Sequence, residues 1–260
     1  MKIAICQMNV IQGNKDENRK TAEIYIDKAA QNGAHVIVLP EMWTCGYDWD
    51  NLAEHKEEPR GTTHTFLSRK SSEHRVYLIG GSLPTQFDNG IYNTSCAYDP
   101  NGKVINIYSK IHLISLMKED RYLSPGVEYR IFEIEQTPAA TIICYDLRFP
   151  ELIRRYTLDG AKILFVPAEW PIQREQHWLT LLRARAIENQ IFVVGANMAG
   201  SNQLDKFNGH SIVYDPWGEI VAEAGAEPTI LYADIDVDVV GKVRERMPVF
   251  HDRHSELYRL

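Results

Sequence analysis

The chain has 260 residues, 44% of them hydrophobic, which is enough for a large core in one big domain or two smaller ones. Its net charge of −7 argues against a nucleic-acid binder, which would show a basic face. Lys and Arg are scattered without a polybasic run for a membrane surface, and no apolar stretch approaches a membrane span.

The N-terminal run MKIAICQMNVIQGNKD is apolar but short. It contains Gln7 and Asn9 and lacks a cleavage-site pattern, so it reads as a first strand over 2–8, not a signal peptide. Ala22, Ile26, Ala29 and Ala30 then share one helical face, Gly33 suits the helix end, and HVIVLP (35–40) reads as a second buried strand. A polar helix over roughly 62–75 precedes the strand VYLIGGS (76–82). Runs at 91–98 and 103–109, joined by DPNG, read as a hairpin.

An apolar run stops at Cys144, and the segment CYDLRFPEL follows. Phe149, Leu152, Ile153 and Tyr156 mark a helix face starting near Pro150 and ending at the DG of 159–160. KILFVP (162–167) is a strand, Trp178, Leu181, Leu182 and Ala186 mark another helix, and IFVVGAN (191–197) is a strand. Residues 210–225 form a second hairpin around DPWG, and ILYADID (230–236) is the last strand. Helices alternating with strands, plus two antiparallel hairpins, imply mixed sheets covered by helices. The expected fold is α/β, a four-layer α-β-β-α sandwich of two mixed sheets in a single domain spanning 1–260. A doubly wound single sheet fits the same pattern.

Cys6, Cys45, Cys96 and Cys144 are far apart with no C-x-x-C spacing, which suggests reduced thiols in a cytoplasmic protein. The histidines form no H-E-x-x-H pattern. HDRH at 251–254 reads as a solvated tail before it reads as a metal site, so neither metal nor cofactor is expected.

Three strand ends carry an ionisable group: Glu41 after VIVLP, Lys110 after INIYS, and Cys144 after ATII. Ligands collect beyond the carboxyl ends of strands in such sheets. There, a carboxylate takes the thiol proton, the sulfur attacks, and an ammonium steadies the negative charge that develops. Each residue also has a plain reading. A cysteine after an apolar run is most often a small buried hydrophobe, Glu41 could be a solvated strand end, and Lys110 an ordinary surface lysine.

LPEMW around Glu41, YSKIHL around Lys110 and CYDLRFPEL from Cys144 resemble the three signature motifs of the nitrilase, or carbon–nitrogen hydrolase, superfamily. HWLTLLRARAIENQ (177–190), GHSIVYDPWGEIVAEAG (209–225) and PVFHDRHSELY (248–258) resemble its Nit and omega-amidase branch. The resemblance covers nearly the whole chain. It implies the α-β-β-α sandwich, a catalytic Glu41–Lys110–Cys144 triad, and assembly through helices into a homodimer or larger oligomer. EDRYLSPG (119–126) resembles the segment carrying a second pocket glutamate, here Glu119, although MKEDR also reads as a solvated loop.

The expected reaction is hydrolysis of a small linear amide by water through a thioester on Cys144. An omega-amide of a 2-oxo dicarboxylic acid is the implied substrate, and an N-carbamoyl amine or amino acid is the alternative. Lys110 and the Tyr145 N–H would hold the oxyanion. A thiol beside an ammonium and a helix N-terminus is expected to favour its thiolate. Trp43, Tyr47, Tyr145 and Trp170 follow motif strands and are candidates for the pocket wall or for the core. Arg148, Lys118 and Arg121 are candidate partners for a substrate carboxylate, and Arg148 could instead pair with Glu151 or a dimer partner. A binding or redox-sensing protein on the same fold is the non-enzymatic alternative.

Overall fold

Strand β1 (Lys2–Gln7) sets the pattern on which the chain is built. Ile3 and Ile5 face one core, Ala4 and Cys6 another, and all four are fully buried. Successive side chains of a strand point to opposite faces, so a strand apolar at every position must be covered on both sides. Helix α1 (Lys15–Gln31) supplies one cover. Asn14 caps it by accepting the Glu17 N–H at 3.2 Å, and Ala22, Ile26 and Ala29 form its buried stripe. Gly33, at φ +78°, then reverses the chain into β2 (Val36–Val38), parallel to β1.

The structure, a computed structural model, describes residues 1–201 and 206–258. After β2 come α2 (Leu52–His55), α3 (Thr62–His74), β3 (Tyr77–Ile79), β4 (Leu83–Phe87), β5 (Gly90–Tyr98) and β6 (Val104–Ser109). The second half contains α4 (Glu119–Tyr122), β7 (Phe132–Ile134), β8 (Thr137–Thr141), α5 (Pro150–Leu158), β9 (Ile163–Ala168), α6 (Glu175–Asn189) and β10 (Phe192–Asn197). A small ribbon of β11 (Ala199–Ser201) and β12 (Lys206–Asn208) follows. Then come β13 (Ile212–Tyr214), β14 (Ile220–Glu223), β15 (Thr229–Asp234), α7 (Val239–Arg246) and α8 (Ser255–Tyr258).

Among the described residues one sheet runs β15-β1-β2-β3-β5-β4, with β6 also on β5, and a second runs β14-β13-β10-β9-β8-β7. Ile3, Ile5, Val36 and Val38 of the first pack with Ile163, Phe165, Phe192 and Val194 of the second, so the sheets lie face to face. The outer face of the first carries α1 and α3, through Ala22, Ile26, Phe66 and Leu67. The outer face of the second carries α5 and α6, through Ile153, Tyr156, Trp178 and Leu182. This is the expected four-layer α-β-β-α sandwich, and the doubly wound single sheet is excluded by the second sheet.

The structure departs from the sequence reading in several local features. Strand β4 and helix α7 were not anticipated, because LPTQF lacks a continuous apolar run and VVGKVRER is short with a central glycine. Cys144 does not end a strand. β8 stops at Thr141, and Cys144 opens a short 3-10 turn, Cys144–Arg148, before α5 begins with Pro150 at its first position.

Candidate active site

The parallel strands of both sheets finish at one end of the sandwich, and the ionisable residues follow them: Glu41 after β2, Cys144 after β8, Glu169 after β9. Lys110 arrives from β6, where its N–H bonds to the Asn93 carbonyl of β5 at 2.9 Å. The Lys110 ammonium donates to Glu41 Oε1 at 2.9 Å and to Glu119 Oε2 and Oε1 at 2.8 and 3.0 Å. All three side chains are fully buried. Burial alone would lower the lysine, but the facing carboxylates of Glu119 and Glu41 outweigh it and hold the ammonium well above its ordinary range. Burial raises the Glu119 carboxyl, with Lys110 partly opposing it. The solvated-loop reading of Glu119 is therefore wrong: α4 folds back so that its first residue enters the cluster, and its Oε2 also takes the Ile114 N–H at 2.9 Å.

Cys144 sits at φ +45°, a strained position for a residue with a side chain. Asp146 holds that turn. Its buried carboxylate accepts the Ile143 N–H at 3.1 Å, the Tyr108 hydroxyl at 2.6 Å, and the backbone N–H of His112 at 2.9 Å, with His112 Nδ1 at 2.8 Å. Burial and then the Glu41 carboxylate push the Cys144 thiol well above its ordinary value, against the opposing pull of Lys110. The expected resting thiolate is thus corrected to a resting thiol, because the lysine charge is already shared by two carboxylates.

A cleft beside Cys144 is lined by Tyr145, Arg148, Trp170, Arg174, Ile114 and Met117, together with Glu169 and Pro171. The Arg148 guanidinium lies 4.7 Å over the Trp170 ring and 5.8 Å over Tyr145. Its nitrogens lie 3.4 Å from His177 Nδ1, and the alternative pairing with Glu151 is not among the ion pairs of the described residues. Lys118 and Arg121 are exposed and away from the cleft lining. Trp43 turns from the site into the outer core of the first sheet, where its indole donates to the Gly80 carbonyl at 2.8 Å. Tyr47 is buried beside the cluster, stacked on Trp49 with centroids 5.0 Å apart, and its hydroxyl has no partner among the described residues.

Three residues escaped the sequence reading. Asn93 donates to both carboxylates, at 2.8 Å to Glu41 Oε1 and 3.1 Å to Glu119 Oε1. An amide in the middle of the apolar strand GIYNTSCAY was its signal. Glu169 offers its N–H to Glu41 Oε2 at 2.9 Å, and VPAEW carries a strand-end Pro and Glu much as VLPEM does. Arg174 left no pattern, since only the tertiary fold brings it to the cleft. Elsewhere, no group of three or more His, Cys, Asp or Glu among the described residues is placed to hold a metal, and His254 lies 3.1 Å from Glu256. No helix there is long and apolar enough to cross a membrane.

A sandwich of this topology with an acid, a lysine and a cysteine at one strand-end cleft defines a class, and the chain belongs to it. It is a member of the carbon–nitrogen hydrolase family, matched over residues 2–245, and so an enzyme that hydrolyses carbon–nitrogen bonds. It is 44% identical over 256 residues to 2-oxoglutaramate amidase of Bacillus subtilis, covering 98% of each chain. It is 34% identical to human omega-amidase NIT2, covering 99% of this chain and 96% of that one. The crystal structure of Saccharomyces cerevisiae Nit3, a member of branch 10 of the nitrilase superfamily, matches with a TM-score of 0.91 at 32% identity, covering 98% and 96% of the two chains.

Proposed function

We propose that this enzyme is a single-domain amidase that hydrolyses the omega-amide of a short 2-oxo dicarboxylic acid. The observation that carries the reading is the buried Glu41–Lys110–Glu119 cluster beside the Cys144 thiol, opening on a cleft with two arginines. Similarity to 2-oxoglutaramate amidase and omega-amidase supports the substrate class.

In this scheme Glu41 takes the proton of Cys144 as the sulfur bonds to the amide carbon. The carbonyl pair moves to oxygen, which is held by the Lys110 ammonium, one of whose N–H groups turns from Glu119 toward it, and by the Tyr145 N–H. Glu41 returns the proton to nitrogen, the C–N bond breaks, and ammonia leaves a thioester. A water then gives a proton to Glu41 and adds to the thioester carbon. The C–S bond breaks, and the thiolate recovers the proton from Glu41. Because the resting group is a thiol, proton transfer to Glu41 has to accompany attack. Glu119 anchors the lysine, while Arg148 and Arg174 face the distal carboxylate, since a buried charge without a partner is costly. Tyr47 has a free hydroxyl for the substrate, and Trp170 forms the wall behind Arg148.

The test is ammonia release from a panel of amides. The expected order of kcat/KM is 2-oxoglutaramate or 2-oxosuccinamate, then glutamine or asparagine, then butyramide, with none from Cys144→Ala. Preference for butyramide would point to an aliphatic amidase, and turnover of an N-carbamoyl compound alone would replace the substrate class. A cytoplasmic location suits four free, buried cysteines, and a homodimer suits the exposed apolar side chains of Ile187, Trp217 and Met247.

A further inference from the structure

Glu41 must take up a proton and release it within each half-reaction, so it matters which oxygen carries it. Oε1 accepts two bonds, from Lys110 at 2.9 Å and Asn93 at 2.8 Å, which occupy its two lone-pair directions. Oε2 accepts one described bond, from the Glu169 N–H at 2.9 Å, and keeps a lone pair. Asn93 is fully buried, and the two carboxylates are its only described side-chain partners. Its Oδ1 has no partner among the described residues, so the amide is anchored through its donor side alone. The nitrogen has to face the carboxylates, because an oxygen there would repel both. The backbone carbonyl of the same residue takes the Lys110 N–H, so Asn93 sits opposite the residue that bears the ammonium.

We propose that Asn93 is a positioning residue for the proton carrier: by donating to Glu41 Oε1 and Glu119 Oε1 it fixes both carboxylates and reserves Glu41 Oε2 for the travelling proton. The proposal rests on the Glu41–Cys144 reading above. The proton leaves Cys144 Sγ for Oε2 as the C–S bond forms, and passes from Oε2 to the amide nitrogen as the C–N bond breaks. Water repeats the transfer when the thioester is hydrolysed. Without the Asn93 bond, Glu41 is held only by Lys110 and the Glu169 N–H, and its carboxylate turns more readily about its last torsion to offer the wrong oxygen.

The test compares Asn93→Ala and Asn93→Asp with the wild-type chain, using the best amide from the panel. Asn93→Asp keeps the shape and puts a third carboxyl group against Glu41 and Glu119 in place of the neutral N–H donors. Folding is checked by circular dichroism. Both variants should lose kcat on the order of 10- to 100-fold, a part of what positioned proton transfer supplies, with KM within about threefold. A kcat loss with KM nearly unchanged, in a folded protein, is the split that a purely structural role for Asn93 would not give. A folded variant with wild-type kcat overturns the proposal, as does a loss confined to KM. An active Cys144→Ala would overturn the triad, and the proposal with it. An inactive Cys144→Ala beside a fully active Asn93→Ala overturns the proposal alone.

Discussion

Asp146 shows how much of this site is held by residues that never touch substrate. It gathers backbone donors from Ile143 and His112 and the hydroxyl of Tyr108, and so clamps the turn on which Cys144 stands at positive φ. Asn at this position keeps one acceptor and turns the other into a donor facing donors. Asp146→Asn is expected to lower kcat at least tenfold while KM changes less. It should also cost about 1–3 kcal/mol of stability, the usual penalty of buried mismatched polar groups. Steady-state kinetics and urea unfolding measure the two, and an unchanged kcat would remove Asp146 from any role in placing the thiol. The motif CYDLRFPEL displayed the nucleophile, but the partner of its third residue lies on β6 and the loop after it, beyond the reach of local reading.

At the scale of elements, the two hairpins follow one chemical rule. In DPNG and DPWG, Asp99 and Asp215 each accept two backbone N–H groups, and Gly102 and Gly218 sit at φ +77° and +78°. These turns were readable because their geometry is local. The start of α3 was not. Glu57, outside the helix, accepts the Thr63 N–H at 2.7 Å and the Thr63 hydroxyl at 2.5 Å, and it pairs with Lys15 of α1. Burial works to raise this carboxyl, and the bonds from Lys15 and Thr63 outweigh it, holding it below its usual range. A depressed folded pKa contributes stability above the unfolded value, about 4.3, and loses it as pH falls through the folded one. Glu57→Ala should therefore destabilise the protein by about 1–3 kcal/mol at neutral pH. The gap to wild type should narrow in acid, below the usual carboxylate range. Denaturant melts at pH 7 and pH 3 test this, and an equal gap at both would refute the charge-based account.

At the scale of the whole molecule, apolar surface remains uncovered. Ile187 on α6 is 47% exposed, Trp217 in the adjacent turn 38%, and Met247, tied to α6 through Gln190, 53%. Large apolar side chains left exposed on and beside α6 are the support for the proposed homodimer through helices. Sedimentation should give twice the protomer mass, and Ile187→Asp should shift it toward the protomer. A monomeric wild-type chain would remove the proposal.

What the sequence determined by itself was whatever short-range periodicity and a few motif residues encode. Alternating buried strands and amphipathic helices implied the layers, turn residues marked the hairpins, and three short motifs displayed Glu41, Lys110 and Cys144. Tertiary structure alone decided the rest. β15 pairs antiparallel with β1 across nearly the whole chain, linking Lys2 to Asp234, a choice made by sheet closure and not by either strand's composition. The same long-range packing turned Trp43 into the core, brought Glu119 in from a charged segment, carried Arg174 to the cleft, and set Asn93 between two carboxylates. It also left Cys144 a protonated thiol, because a charge is governed by what is buried around it, and that environment comes from residues distant in the chain.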